Sequence, residues 1–274
     1  MSLSHSACEK VDIVLLTKNS VKPCLKECIE SIYANVPVNR LIVVDGGSTD
    51  GTLELVKKYP NVVVIDDSKG NRATARQKGI EVVETEWHLH VDSDVILCKG
   101  WFEKASRLIQ PDVGAIWGVA IPIERHSYHI AYAMSKFYRM PIRDMLVKQM
   151  RSERCMTHDT LFRTALLKDI KIPKDLHIWE DDYIGRWVIK KGYRFLKVKD
   201  PYCLHNVCEK GVDSFILNGY IMHKYKIWKL RQILFRFLLA IPKSLWIFAM
   251  TKDLKASKIQ FLNYVLMLKG WLLL

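Results

Sequence analysis

Acidic residues all but vanish from the end of this sequence. After Asp213 only Asp253 is left, against ten lysines and arginines between Lys224 and Lys269. The 274 residues carry a net charge of +13, so part of that basicity belongs to the tail. It calls for an anionic partner: a nucleic acid, a phosphate-bearing ligand or an acidic membrane surface. C-x-x-C spacing is also missing. Cys24/Cys28 and Cys203/Cys208 are the only close pairs among seven cysteines, so the reading is of buried or half-buried thiols in a reducing compartment. The opening MSLSHSACEKVD lacks the basic-then-apolar layout of a signal peptide, which gives the expectation of a cytosolic location. No repeat, low-complexity stretch or recognised nucleic-acid module stands out. A basic nucleic-acid-binding protein remains the alternative from another class, although the basic residues sit beside large apolar ones and not in polar clusters. A nucleotidyltransferase would want a glycine-rich basic loop right after its first strand, and none follows VDIVLLT.

What is present is an alternation. VDIVLLT (11–17) and LIVVD (41–45) are β-branched apolar runs, as is Val62–Asp66, and each ends in a polar loop. A fourth begins at Leu89. Between them lie segments of helical periodicity, over 22–35, from Thr52 to Tyr59, and after the basic loop KGNRATARQKG. Ser48, Thr49 or Asp50 is placed to cap the second. Strands alternating with helices predict an α/β fold, a mostly parallel sheet with helices on both faces. Ligands of such sheets bind outside the carboxyl ends of the strands. Asn19, Asp45, Asp66-Asp67 and Asp92-Ser93-Asp94 all follow strand ends and should share one rim. Two carboxylates two residues apart, at the end of a buried strand, need a solvated turn, a cation or a substrate to offset their desolvation and repulsion. Residues 126–155, aromatic and basic (Tyr132, Arg143, Arg151 and Arg154 among them), break the pattern and predict a helical insertion over the rim. Trp179-Glu180-Asp181-Asp182 opens a further helix, since acids suit a helix N-terminus, and Gly192 ends it.

Five ordered segments then resemble the family-2 nucleotide-sugar glycosyltransferases with the GT-A (Rossmann-like) fold. They are VDIVLLTKNS, VVDGGSTDGT, ATARQKG, HVDSDVI, and TLFRTALL followed by WEDDYIGRWVIKKGYRF. The resemblance implies a nucleotide-sugar donor, linked to UDP, GDP or dTDP, and Mg²⁺ or Mn²⁺ neutralising the leaving diphosphate. It implies Asp94 on the metal, and Asp92 on the ribose hydroxyls and, through water, also the metal. Thr17, Asn19 and Asp45 line the nucleotide cleft, with Ser93 beside them. Lys69, Arg72 and Arg76 complement the diphosphate. Asp181 is the implied general base toward an acceptor hydroxyl, with inversion of configuration. Glu180 and Asp182 lie near enough to compete for that role. His205, expected just after an edge strand, is a candidate additional metal ligand. His88 and His90 read as packing. Lys18, Ser20 and Gln77 depart from the family pattern, and Arg186 falls one residue early.

The expected layout is a catalytic domain over residues 1–212 and a basic, apolar helical tail over 213–274. Arg231, Arg236, Pro242 and Lys243 interrupt the apolar stretch 225–250, where a spanning helix wants about twenty apolar residues. An amphipathic helix on an anionic leaflet fits better, placing the protein peripherally at the cytosolic membrane face. The acceptor is then a lipid-linked or other membrane-proximal glycan. A polyprenyl-phosphate sugar synthase is the near alternative.

Overall fold

The computed structural model describes residues 10–206 and 211–273. The N-terminal segment searched for a leader, Cys208 and the side chain of Arg151 lie outside the described set. In chain order the elements are β1 (Val11–Thr17), α1 (Leu25–Asn35), β2 (Val38–Asp45), α2 (Thr52–Val56), β3 (Val62–Asp66), α3 (Arg72–Val82), β4 (Trp87–Asp92), β5 (Val95–Leu97), α4 (Trp101–Ser106) and β6 (Val113–Pro122). Next come α5 (Arg125–Phe137), α6 (Ile142–Glu153), β7 (Asp159–Arg163), α7 (Glu180–Lys190), β8 (Arg194–His205), α8 (Val212–Lys224), α9 (Leu230–Leu238), α10 (Ala240–Thr251) and α11 (Leu254–Trp271). Two compact units result. One is α/β and holds residues 10–121 and 146–206. The other is helical and joins Pro122–Met145 to the described tail, so the division falls inside α6.

In the α/β unit one sheet runs in the order β3-β2-β1-β4-β7-β6-β8-β5. β3, β2, β1 and β4 are parallel, while β7 pairs antiparallel with both β4 and β6. The two central strands explain themselves. Ile13, Val14 and Leu15 of β1 and Leu41–Val44 of β2 are apolar without interruption and fully buried, as a parallel strand covered on both faces requires. At the edge, β3 leaves Val63 and Val64 exposed.

The stretch LHVDSDVIL is two strands, not one. β4 ends at Asp92 and β5 begins at Val95, yet three strands separate them in the sheet. Three Cα steps cover at most about 11 Å. Four strand spacings in a flat sheet would need about 19 Å. The sheet therefore curls back on itself, and Ser93-Asp94 closes the gap. β5 pairs antiparallel with β8, with Val95 opposite His205. So β8 is not the edge strand expected before His205, because β5 covers it. α2 also ends earlier than Tyr59, and the residue tied to its start is Asp50, whose Oδ1 accepts from Thr52 N at 3.1 Å.

The helical unit is built on a close crossing. A Cβ at Gly219 of α8 would lie 1.9 Å from Met267 O, and one at Gly270 of α11 would lie 1.8 Å from Ile216 O. Only glycine lets those backbones meet. α5 is tied in by Trp246 Nε1, which donates to Ala133 O at 2.8 Å. Asp253 caps α11 through Ala256 N (3.0 Å) and bonds both His126 and His129 at 2.7 Å. Burial would raise its pKa, but the Ala256 amide and the two imidazoles hold it far below the ordinary carboxylate range.

Candidate active site

The ends of β1 and β2 form the first part of the rim. Asp45 is buried and accepts four hydrogen bonds: from Thr17 Oγ1 (2.8 Å), Ser48 Oγ (2.6 Å), Ser48 N (2.7 Å) and Gly47 N (3.0 Å). Burial pushes its pKa up, but these donors outweigh it and the net shift is downward. Gly47 makes the turn at φ 84°, a left-handed conformation that glycine adopts without strain. Asn19 fastens the same loop: its amide donates to Ser48 Oγ, and its Oδ1 accepts from Thr49 N, both at 2.8 Å. Thr17, Asn19 and Asp45 thus come together as expected, in a self-consistent hydrogen-bonded loop.

At the β4–β5 junction the acids are less satisfied. Asp92 Oδ1 is ion-paired with Arg76 Nη2. Its pKa is lowered: burial would raise it, but the guanidinium charge wins. Arg76 is itself buried, 2% exposed, because α3 lays it against the sheet beside His90. Its Nε has no hydrogen-bond partner. Ser93 Oγ bonds Ser20 Oγ at 3.0 Å. Asp94 Oδ1 lies 3.4 Å from His205 Nε2, a meeting set by the Val95–His205 register. Behind His205 the buried His158 ring stacks at 5.3 Å. His158 accepts from Trp117 Nε1 at 3.0 Å, and burial, then the neighbouring His205, depress its pKa to about 3.

The start of α7 supplies the third part. Trp179 sits at φ 75°, a conformation uncommon for an aromatic residue, and Glu180, Asp181 and Asp182 follow it, all buried. Asp182 is clamped structurally: Cys155 N donates to its Oδ1 at 2.9 Å, and Arg186 pairs with its Oδ2. Arg186, one residue early for the family pattern, thus has a local partner. Asp181 Oδ1 accepts from Arg154 Nη2 (2.6 Å) and Nε (3.0 Å), while the guanidinium lies 4.4 Å from the Trp179 ring centroid. Glu180 differs, because its Oε2 is buried without a hydrogen-bond partner. Burial and the charge of Asp181 raise its pKa to about 7, against the opposing pull of Arg76, Arg154 and Arg72. Arg76 is therefore felt by both acid groups.

Whether these residues suit a divalent cation can be judged from their spacing. Metal–oxygen bonds of about 2.1 Å put neighbouring octahedral ligands about 3 Å apart. The 3.4 Å between Asp94 Oδ1 and His205 Nε2 fits that edge, and a carboxylate with an imidazole suits a manganese-like ion. Asp92 is turned to Arg76 instead. Among the described residues His158, Asp159 and Cys203 also cluster closely enough for a metal. That cluster is packed shut: Trp101 Nε1 donates to Asp159 Oδ2, burial pushes the Asp159 carboxyl well up, and Trp117 occupies His158. It reads as support for His205. Its only trace in the sequence is a Thr-His-Asp run (157–159) immediately ahead of the TLFR block. Arg154 appeared only as one cation in a basic stretch.

Lys69 lines a cleft of about 710 Å³ with Asp66, Asp67, Lys78 and Lys174, at the end of β3, where Asp66 pairs with Asp45 in the sheet register. Arg72 is exposed in the first turn of α3, whose N-cap Asn71 accepts from Ala73 N and Thr74 N. His88 and His90 are buried packing groups, as expected. Burial lowers both, His88 to about 3.

Comparison with known proteins agrees with this geometry. The chain is 29% identical over 122 residues to the SPbeta prophage-derived glycosyltransferase SunS of Bacillus subtilis (strain 168), and equally to glycosyltransferase SunS of Bacillus phage SPbeta. The match takes in 42% of this chain but 28% of either relative. Among solved structures it resembles the mannosyltransferase PcManGT from Pyrobaculum calidifontis in complex with GDP-Man and Mn²⁺, with TM-score 0.57 and 18% identity, covering 96% of this chain and 74% of that one. It also resembles S. aureus TarS 1-349 in complex with UDP-GlcNAc, with TM-score 0.54 and 19% identity over 96% and 91% of the two chains. These likenesses establish the GT-A type of fold. The description "Glycosyl transferase family 2" matches residues 12–171, more than half of the chain, and the protein belongs to that family.

Proposed function

We propose that this protein is an inverting, divalent-metal-dependent glycosyltransferase. In this reading it moves a sugar from a nucleotide-sugar donor to a hydroxyl of a lipid-linked or other membrane-proximal glycan, at the cytosolic membrane face. The observation that carries the metal and donor assignment is the approach of Asp94 to His205 at 3.4 Å, beside the Asp92–Arg76 pair and the Asp45 loop. A divalent cation held by Asp94 and His205 would neutralise charge on the departing nucleoside diphosphate. Thr17, Asn19 and Asp45 shape the nucleotide cleft. Asp92 is fixed by Arg76 in the orientation that a ribose hydroxyl would meet. Lys69 and Arg72 add positive potential on the diphosphate side.

A hydroxyl acceptor must lose its proton as it attacks the anomeric carbon, and the start of α7 offers the base. Asp181 keeps that role, held in place by Arg154 and the amide of Asp182 (2.7 Å). Glu180, with its uncommitted oxygen, is its close competitor. This acid group favours a hydroxyl acceptor over a polyprenyl phosphate, which is already ionised at neutral pH and needs no base.

The test is transfer or hydrolysis of UDP-, GDP- and dTDP-linked sugars with Mg²⁺ or Mn²⁺. Asp181→Asn should lower turnover about a hundredfold or more and leave metal-dependent donor binding in place. Full turnover by that variant, or by protein stripped of divalent ions with chelator, would refute the mechanism.

A further inference from the structure

The tail presents an apolar stripe that the α/β chemistry does not use. Leu234, Leu238, Ile241, Leu245 and Phe248 recur at alternating spacings of four and three along α9 and α10. They are 42, 72, 61, 63 and 41% exposed, and Phe235 beside them is 63% exposed. The adjoining side of the same helices, about 100° round from the stripe, carries Ile233, Ala240, Ser244 and Ile247, all buried. The segment therefore has two apolar sides, one already covered by protein. An uncovered stripe of this size is unfavourable in water and marks an interaction surface.

Three features identify its partner. Lys229, Arg231 and Lys252 are exposed at the ends of the stripe, and Asp253, the single acid after Asp213, is buried against His126 and His129. The surface is thus cationic and apolar without a compensating acid. Among the described residues no single helix is long and apolar enough to cross a membrane. α9 and α10 pass such a test only together, and they are bent by 41°. With one side packed on the unit and charges along its length, the pair suits the plane of an interface better than a span.

We infer that the outer stripe of α9–α10 is a membrane-docking surface. It lays Leu234, Phe235, Leu238, Ile241, Leu245 and Phe248 into the headgroup–acyl boundary of an anionic bilayer, with Lys229, Arg231 and Lys252 on lipid phosphates. It deepens the membrane-proximal reading of the acceptor and rests on that reading for the acceptor alone, since docking is measured without donor or acceptor.

The test is flotation of the full chain with vesicles of phosphatidylcholine, with and without phosphatidylglycerol, alongside donor hydrolysis in solution. The wild type should float with the anionic vesicles, less with neutral ones, and less again in high salt. Leu238→Glu with Leu245→Glu should weaken binding about a hundredfold while donor hydrolysis stays at the wild-type rate. Lys229→Glu with Arg231→Glu changes only exposed charges and should weaken it about tenfold. If circular dichroism shows the apolar variant misfolded, the charge variant decides. Failure of the wild type to float, or wild-type flotation by either folded variant, overturns the inference. So does a dimer in light scattering that the apolar variant dissociates without any vesicle binding, because the stripe then belongs to a second copy. Loss of hydrolysis in the wild type with flotation intact would count against the proposed reaction and not against docking.

Discussion

The two acid groups of the α/β unit solve the same electrostatic problem in different ways. At the β4–β5 junction Asp92 has a single guanidinium and Asp94 faces an imidazole at 3.4 Å, so the pair is open to a further cation. At the start of α7 the acids are fixed from within: Asp181 by Arg154 and Asp182 by Arg186 and an amide. Glu180 alone is left near neutrality, with a pKa of about 7. The contrast separates a pair of acids open to a further cation from a buried carboxyl group that holds its proton more tightly than an ordinary one. Arg76 links the two, pairing with Asp92 while its charge also reaches Glu180.

The largest effect that would sharpen this contrast is at the junction. Asp94→Ala should lower metal-dependent transfer about a thousandfold without changing the pH at which Glu180 titrates. Full metal-dependent activity in the variant would break the distinction between the groups. Arg76→Met comes next. It strips a buried cation from Asp92, whose own side chain is 35% exposed, so the loss should be about 1–3 kcal/mol, below the cost of breaking a fully buried pair. Chemical denaturation should show that loss, and the apparent pKa of Glu180 should move up. Unchanged stability would mean that the pair is not held as described.

The smallest of the three concerns Glu180 itself. Its folded pKa lies above its ordinary value, so its contribution to stability is complete below pH 4.5 and is lost as pH rises through about 7. The loss amounts to at most about 3 kcal/mol. Glu180→Gln removes it. Relative to wild type, the variant should melt higher at pH 8 than at pH 5. A difference independent of pH would place Glu180 in an ordinary solvated setting.

Much of this was legible in the sequence, for a definite reason. Acids at strand ends follow from local periodicity, and a parallel α/β sheet puts them on one rim without further information. The approach of Asp94 to His205 was harder to read, because it depends on a sheet that curls until β5 lies beside β8. No local pattern encodes that order, and for the same reason the strand that carries His205 is covered by β5 and is not an edge. Arg154 lies 27 residues from Asp181, inside a basic run where nothing marks it from its neighbours. Asp159 opens β7 and His158 sits in the turn just before it, and nothing local in the sequence marks the antiparallel pairing of that strand with β4. In the tail, composition foretold an apolar and basic surface. Which side of α9–α10 is uncovered became clear only from the helix packing, as did the grouping of residues 122–145 with the tail.

The central claim is that Asp94 and His205 hold a divalent cation that brings in a nucleotide sugar. A thermal-shift titration tests it most directly, since a ligand that binds only the native state raises its melting temperature. For the wild type, a UDP-, GDP- or dTDP-sugar with Mn²⁺ should raise the midpoint by a few degrees more than either component alone. In Asp94→Ala that synergy should disappear. An equal synergistic shift in the variant, or none in the wild type with any of the three donors, would contradict the account.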